Sequence, residues 1–183
     1  MNKKEEIRQN IRILKKQQSK ESRKEASEKI CTLIENCGIF KNSTNILLYH
    51  SLPDEVETLS FISKWHTVKN IFLPRVNGTE LEILAYDEKR LSKGAYNISE
   101  PAGEELQDLN NIDLIIVPAV ALDKKGNRIG RGKGYYDKLL SAVNTYKIGI
   151  IYSYQLVETI PSEKHDIPMD MVITDEGIIK QKI

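Results

Sequence analysis

The 183-residue sequence holds only two cysteines, three histidines and one tryptophan, and its net charge is +1. Each scarcity excludes something. Cys31 and Cys37, six residues apart on a helical pattern, cannot build a disulfide framework, and no Cys or His pair stands near them at metal-ligand spacing. They are expected as reduced core residues, which suits a cytoplasmic protein. No apolar run approaches the roughly 18 residues of a membrane span, and the charged start, residues 1–10, is unlike a secretory signal. With so small a net charge there is no molecule-wide field to draw nucleic acid or membrane, and neither is expected as a partner. His66 and His165 are not matched with both an acid and a nucleophile, so a catalytic triad is not expected either.

What charge there is lies unevenly. Residues 1–30 carry ten Lys/Arg against five Glu. Such a basic end suits a small anionic ligand, although a solvated helix face gives the same composition. Ile7, Ile11 and Leu14 recur at helical spacing, and Lys3, Lys4, Arg8, Arg12, Lys15 and Lys16 interleave with them. A second stripe follows at Ala26, Ile30, Leu33, Ile34 and Cys37, with Ser19 or Ser22 to cap it and Gly38 where a stop belongs. The chain therefore opens with a helical pair, the first helix cationic on one side.

From residue 45 short apolar runs predict strands at 46–49, 71–73, 81–85, 114–117, 148–152 and 171–174. Helical patterns at 59–65, 136–143 and 155–159 alternate with them, and Pro74 and Pro118 are expected in turns at strand ends. The runs before Pro118 and Tyr152 are nearly continuous in apolar residues, as in strands buried on both faces. The expectation is one α/β domain over residues 1–183: a three-layer αβα arrangement on a mostly parallel sheet. Ligands of such folds bind past the carboxyl ends of the strands.

The stretch from Pro118 to Asp137 runs from a strand to a helix and holds glycines at 130, 132 and 134. Glycine lets the backbone approach a ligand closely, and successive N–H groups can converge on an anion. Arg131 and Lys133 add charged donors suited to phosphate oxygens. Neither standard phosphate motif is satisfied. A P-loop needs glycine at 127, where Asn stands, and Ser or Thr at 134, where Gly stands. The dinucleotide fingerprint needs a wider glycine spacing than this G-x-G-x-G. The residues alone thus describe an anion site of nonstandard type or a solvated glycine-rich turn. Asp137, just inside the helix, either complements its dipole or holds Mg²⁺ beside a triphosphate, with Asp170 the best second carboxylate.

Pro118, Ala121, Asp123, Gly126, Arg128 and the block Gly130–Asp137 resemble the signature of the 5-formyltetrahydrofolate cyclo-ligase family. The resemblance continues in order through Lys4 and Arg8, Glu55–Thr58, Leu73–Val76, Glu100-Pro101, Gln155–Pro161 and His165–Asp170. It implies an enzyme that uses ATP and Mg²⁺ to close 5-formyltetrahydrofolate to 5,10-methenyltetrahydrofolate, releasing ADP and phosphate. On that resemblance Lys4, Arg8, Arg128, Ile129, Gly130, Arg131, Gly132, Lys133, Gly134, Tyr135 and Tyr136 surround the nucleotide. Arg131, Lys133 and Tyr135 act at the transferring phosphate. The folate meets His50, Glu55 and the segment Arg131–Tyr135, while Asp137 and Asp170 hold Mg²⁺. A monomer is expected. Another ATP-dependent small-molecule kinase, or a non-enzymatic nucleotide-binding module, would be the alternatives.

Overall fold

The structure, a computed structural model, describes residues 2–93, 99–163 and 166–181. Helix α1, Lys3–Lys16, starts where the Asn2 side chain accepts the Lys4 amide. Helix α2, Lys20–Asn36, starts at Ser19, whose Oγ accepts the Ser22 amide at 3.0 Å, as a capping serine should. Cys37 closes α2, and Gly38 opens a short helix α3, Gly38–Asn42, so the expected stop is also a start. Then follow β1 (Asn45–Leu47), α4 (Leu59–Trp65), β2 (Asn70–Asn77), β3 (Glu80–Ala85), and a small hairpin of β4 (Leu91–Lys93) and β5 (Ser99–Pro101). The second half holds β6 (Leu114–Pro118), β7 (Ala121–Asp123), β8 (Arg128–Ile129), α5 (Tyr135–Ser141), β9 (Tyr146–Ile150), β10 (Leu156–Val157), β11 (Met171–Thr174) and β12 (Gly177–Gln181). Among the described residues no helix is long and apolar enough to cross a membrane.

The main sheet has the order β12-β11-β9-β6-β1-β2-β3. Its five central strands are parallel, and the antiparallel β3 and β12 close the two edges. Side chains alternate between faces. Ile46, Leu114, Ile116, Ile148, Ile150, Met171 and Ile173 pack with Ile30, Ile34, Phe40, Phe61 and Ile62 of α2–α4. Leu47, Ile115, Val117 and Val172 face the other way, onto Leu139 and Leu140 of α5 and Leu122 of β7. Strands buried on both faces are what continuous apolar runs produce. The αβα expectation holds.

Strand order reverses between β1 and β6, since β1 leads on to β2 on one side while β6 pairs on the other. At such a switch point the loops leaving neighbouring strands part and open a crevice at their carboxyl ends.

Two expectations differ from what is found. Pro74 stands inside β2, opposite Ile83. The β1 pairing ends at the bond from the Leu48 amide to the Phe72 carbonyl, so a proline beyond it costs no ladder bond on that side. Residues 155–159 are not a helix: a 3₁₀ turn, Ser153–Gln155, runs straight into β10. There the buried Gln155 side chain accepts the Tyr152 amide and donates to the Ala119 and Val120 carbonyls, tying the turn to the chain leaving β6. Beside it, β7, β8 and β10 form a small sheet across one face of the main one. Gly149 permits that approach, because a Cβ there would sit 2.7 Å from Leu122 Cδ1 and 2.8 Å from Met169 Cγ. Ile11 of α1 packs onto this small sheet with Ala121, Ile129 and Ile160, which brings the cationic helix over the carboxyl edge.

Candidate active site

A cavity of about 250 Å³ opens at the switch point. Tyr49, His50 and Leu52 leave β1 to form one side, and Pro118, Ala119 and Val120 leave β6 to form another. Pro74, Val76 and Leu81 contribute an apolar wall, and Glu55, Lys15, Arg131 and Lys133 stand among the charged groups. Burial lowers the His50 pKa against the opposing pull of Glu57, and His50 Nδ1 is buried without a hydrogen-bond partner among the described residues. Both features favour the neutral imidazole.

A second cavity of about 210 Å³ lies beyond the Arg128–Tyr136 wall and is lined by Lys4, Arg8, Asp137 and Asp166. Arg128, Gly130, Arg131, Tyr135 and Tyr136 border both cavities. Gly132 (φ +92°) and Gly134 (φ +73°) sit in the left-handed region and let the chain turn sharply between them. Helix α5 has only seven residues, so its dipole is short and the attraction for an anion falls to side chains.

Those side chains are held from several elements. The β7–β8 turn is organised by the fully buried Asp123, which accepts the Lys125, Asn127 and Ile160 amides at 2.9–3.0 Å. The turn aims Arg128, whose side chain is only 6% exposed. Its guanidinium donates to the Pro118 carbonyl and to Asp137 Oδ1 (2.8 Å) and lies over the Tyr136 ring. From α1, Arg8 donates to the Gly130 carbonyl at 3.0 Å and Lys4 pairs with Asp166 at 2.9 Å.

Arg131 is the best-anchored of the predicted residues. Its Nε and Nη2 donate to Glu55 Oε1 (3.2 and 3.1 Å), and Nη2 also reaches Asp54 Oδ1 at 2.7 Å. Glu55 is fixed in turn by the Leu52 amide on Oε2 and by Tyr152, which donates to the Glu55 carbonyl. Burial opposes charge on both Arg131 and Asp54, yet their partners outweigh it. Glu55 and Asp54 raise the Arg131 pKa, while Lys15 and Arg131 hold Asp54 below the usual carboxylate range.

The fold thus gathers Lys4, Arg8, His50, Glu55, Arg128, Gly130, Arg131, Gly132, Lys133, Gly134, Tyr135, Tyr136 and Asp137 around two adjoining cavities. Ile129 also borders the second, but its side chain is buried against Ile11, so only its backbone is offered to a ligand. Burial raises the Tyr136 phenol, and its ring packs against the core, whereas Tyr135 reaches across to the Gly78 carbonyl.

Asp170 is the exception. Its amide donates to the Lys147 carbonyl and its carboxylate accepts the Lys147 amide, at the amino end of β9. Asp137 is tied through Arg128 to Pro118, at the carboxyl end of β6. Because Ile115 pairs with Lys147 and Pro118 with Ile150, the two carboxylates are anchored toward opposite ends of the strands, about 10 Å of strand apart. A metal shared by this pair is not what the fold arranges. Asp166, four residues earlier, is the acid that reaches the second cavity.

Sequence reasoning also passed over Asp54 and gave Lys15 only a place on a cationic face. The acidic neighbour of Glu55 was the available signal. His66 packs edge-on against Tyr86, and His165 lies outside the described residues.

Comparison with known proteins gives the family. The pattern of the family described as "5-formyltetrahydrofolate cyclo-ligase family" matches residues 1–175. A 5-formyltetrahydrofolate cyclo-ligase of Haemophilus influenzae is 31% identical over 173 residues, covering 89% of each chain. A probable one from Schizosaccharomyces pombe is 33% identical, covering 82% of this chain and 84% of its own. Among solved structures, the 5,10-methenyltetrahydrofolate synthetase of Aquifex aeolicus superposes with a TM-score of 0.88 at 34% identity, covering 98% of this chain and 92% of that one. That of Mycoplasma pneumoniae gives 0.76 at 25% identity, covering 95% and 99%. The chain belongs to the 5-formyltetrahydrofolate cyclo-ligase family.

Proposed function

We propose that the enzyme closes 5-formyltetrahydrofolate to 5,10-methenyltetrahydrofolate at the expense of ATP, with the folate in the 250 Å³ cavity and the triphosphate in the cationic one. The observation that carries this reading is the shared wall. A reaction that passes a phosphoryl group from one ligand to another needs both held against the same residues, and Arg128, Gly130, Arg131, Tyr135 and Tyr136 border both cavities.

The chemistry asks for charge neutralisation more than for a nucleophile. A formamide oxygen leaves poorly. Phosphorylated, it leaves as phosphate once the neighbouring anilino nitrogen has closed the ring. Phosphoryl transfer depends on positioning and on cations around the equatorial oxygens. Lys4 and Arg8 would take the nucleotide phosphates, and Arg131 and Lys133 the transferring group. Lys133 has no carboxylate partner among the described residues, and Arg131 keeps its Nη1 edge unbonded there. His50, Glu55 and the apolar wall of Pro74, Val76 and Leu81 would hold the folate.

The described residues contain no cluster of three metal-ligating side chains. Mg²⁺ in nucleotide sites usually takes one or two carboxylates and completes its shell with phosphate oxygens and water, so Asp137 and Asp166 fit it. When bound, the metal would supply Lewis-acid neutralisation of phosphate charge. The free thiols Cys31 and Cys37 support a reducing, cytoplasmic setting.

The test is the near-ultraviolet absorbance of the methenyl product with ATP and Mg²⁺. Product and ADP forming together, and only when the formyl folate is present, is the expected result. ATP turnover indifferent to the folate would sink the proposal.

A further inference from the structure

We propose that Asp54 is a positioning residue, linking Lys15 of α1 to Arg131 so that one rigid carboxylate aims the phosphate-binding arginine and docks the helix that carries Lys4 and Arg8. The inference rests on the reading of Arg131 as a phosphate group ligand.

Both Asp54 oxygens are engaged. Oδ1 accepts Arg131 Nη2 at 2.7 Å and Oδ2 accepts Lys15 Nζ at 2.9 Å. The two cations come from parts of the chain far apart in sequence, and Asp54 is the carboxylate that both of them reach. Arg131 sits between Gly130 and Gly132, on the loop with left-handed glycines, and a guanidinium on such a loop has many orientations to lose. Lys15 lies in the last turn of α1.

The carboxylate, by contrast, is on a stapled segment. Tyr49 Oη donates to the Val56 carbonyl, Tyr152 Oη to the Glu55 carbonyl, and Ser51 and Thr58 exchange side-chain bonds to each other's amides. Asp54 and Glu55 together hold Arg131 by its Nε/Nη2 edge, which leaves the Nη1 edge without a partner among the described residues. A planar fork held along one edge presents the other in a fixed direction. Through Lys15 the same carboxylate pulls on α1, whose other ties at the site are Lys4 to Asp166 and Arg8 to Gly130. Asp54 is 41% and Arg131 46% exposed, so their pairing adds little to stability, and its effect is geometric.

The experiment compares Asp54→Asn, Lys15→Met and the double variant in the methenyl absorbance assay, with thermal midpoints alongside. Asp54→Asn is nearly isosteric and should keep its midpoint within a few degrees while kcat falls about tenfold and the KM for ATP rises, the loss expected of misaiming. Lys15→Met should show the larger relative effect on the KM for ATP, because it acts through α1. The double variant should be no slower than Asp54→Asn alone, because one relay can be broken only once. If Asp54→Asn is too unstable to assay, Asp54→Glu, which keeps the charge at a different reach, should show the same kcat loss in milder form. Wild-type kcat and KM in an Asp54 variant, or losses from the two single changes that multiply, would overturn the inference. A wild-type chain that makes no methenyl product would instead remove the proposed activity, and this inference with it.

Discussion

Arg8 donates from Nε to the Gly130 carbonyl at 3.0 Å, joining the first helix to the glycine loop across 122 residues of chain. With Lys4 on Asp166 at 2.9 Å, it makes α1 one wall of the cationic cavity and not merely a solvated basic helix. The helix is docked through its apolar side as well, at Ile11 and Ile7, so its cations are delivered to the site by packing.

Lys4→Ala should therefore weaken ATP binding more than turnover. Removing one charged hydrogen bond to phosphate corresponds to a rise of about tenfold in the KM for ATP, with kcat within a factor of about three. Initial rates across an ATP titration at saturating folate check this. A kcat collapse with an unchanged KM would place Lys4 at the transferring group instead.

Arg131→Ala should act on the chemical step. It removes a cation facing both cavities and leaves Asp54 and Glu55 close together without their shared partner, adding like-charge repulsion where phosphate must approach. Loss of such a transition-state group costs about 100-fold or more in kcat. Arg131→Lys should recover only part of it, because an ammonium cannot keep two carboxylates on one edge and offer another. Single-turnover rates with bound ATP distinguish this from loss of affinity, and near-wild-type rates for Arg131→Ala would refute it.

The three aspartates predict different behaviour. Asp137→Asn and Asp166→Asn should shift the Mg²⁺ titration of activity to higher concentration, since each removes a carboxylate from the phosphate cavity. Asp170→Asn should leave that titration unchanged and lower stability by about 1–3 kcal/mol, because the largely buried Lys147 ammonium loses a partner at 3.2 Å. Chemical denaturation read beside the Mg²⁺ midpoint separates the two effects. A shifted midpoint in Asp170→Asn would restore that residue to the metal.

How much of this was legible depended on the range of the interaction. Ser19 capped its helix, and the runs expected at 114–117 and 148–152 became the buried parallel strands Leu114–Pro118 and Tyr146–Ile150, because capping and two-faced burial are written in adjacent residues. The glycine loop announced itself by spacing. The strands β7, β8 and β10 are two or three residues long and exist through the surface they cover, so no period could reveal them. Pro74 read as a turn because the early end of β1, which makes it tolerable, is a fact of register. Asp166 and Asp170 differ by four residues in sequence, yet one borders the second cavity and the other holds the amino end of β9, a difference set by the pairing of β11 with β9. Pairs such as Lys4–Asp166 and Arg131–Asp54 join segments far apart in sequence, and a single sequence carries no sign of them.

His50 predicts a pH effect of definite sign. Burial depresses its pKa below the ordinary value of about 6.5, so the folded protein takes up this proton only at lower pH than the unfolded chain does. Between the folded value and about pH 6.5 the unfolded state binds more protons, and stability rises with pH. Above about 6.5 both states are neutral at this residue, and its contribution is full and flat. His50→Asn should abolish that part of the slope while leaving acid-range losses from carboxylates such as Asp54 in place. Thermal midpoints of both proteins from pH 5 to 7.5 would show curves that converge or separate below pH 6.5 and run parallel above it. Parallel curves throughout would mean that His50 titrates alike in the folded and unfolded chains, and that the cavity beside it is wetter than the fold implies.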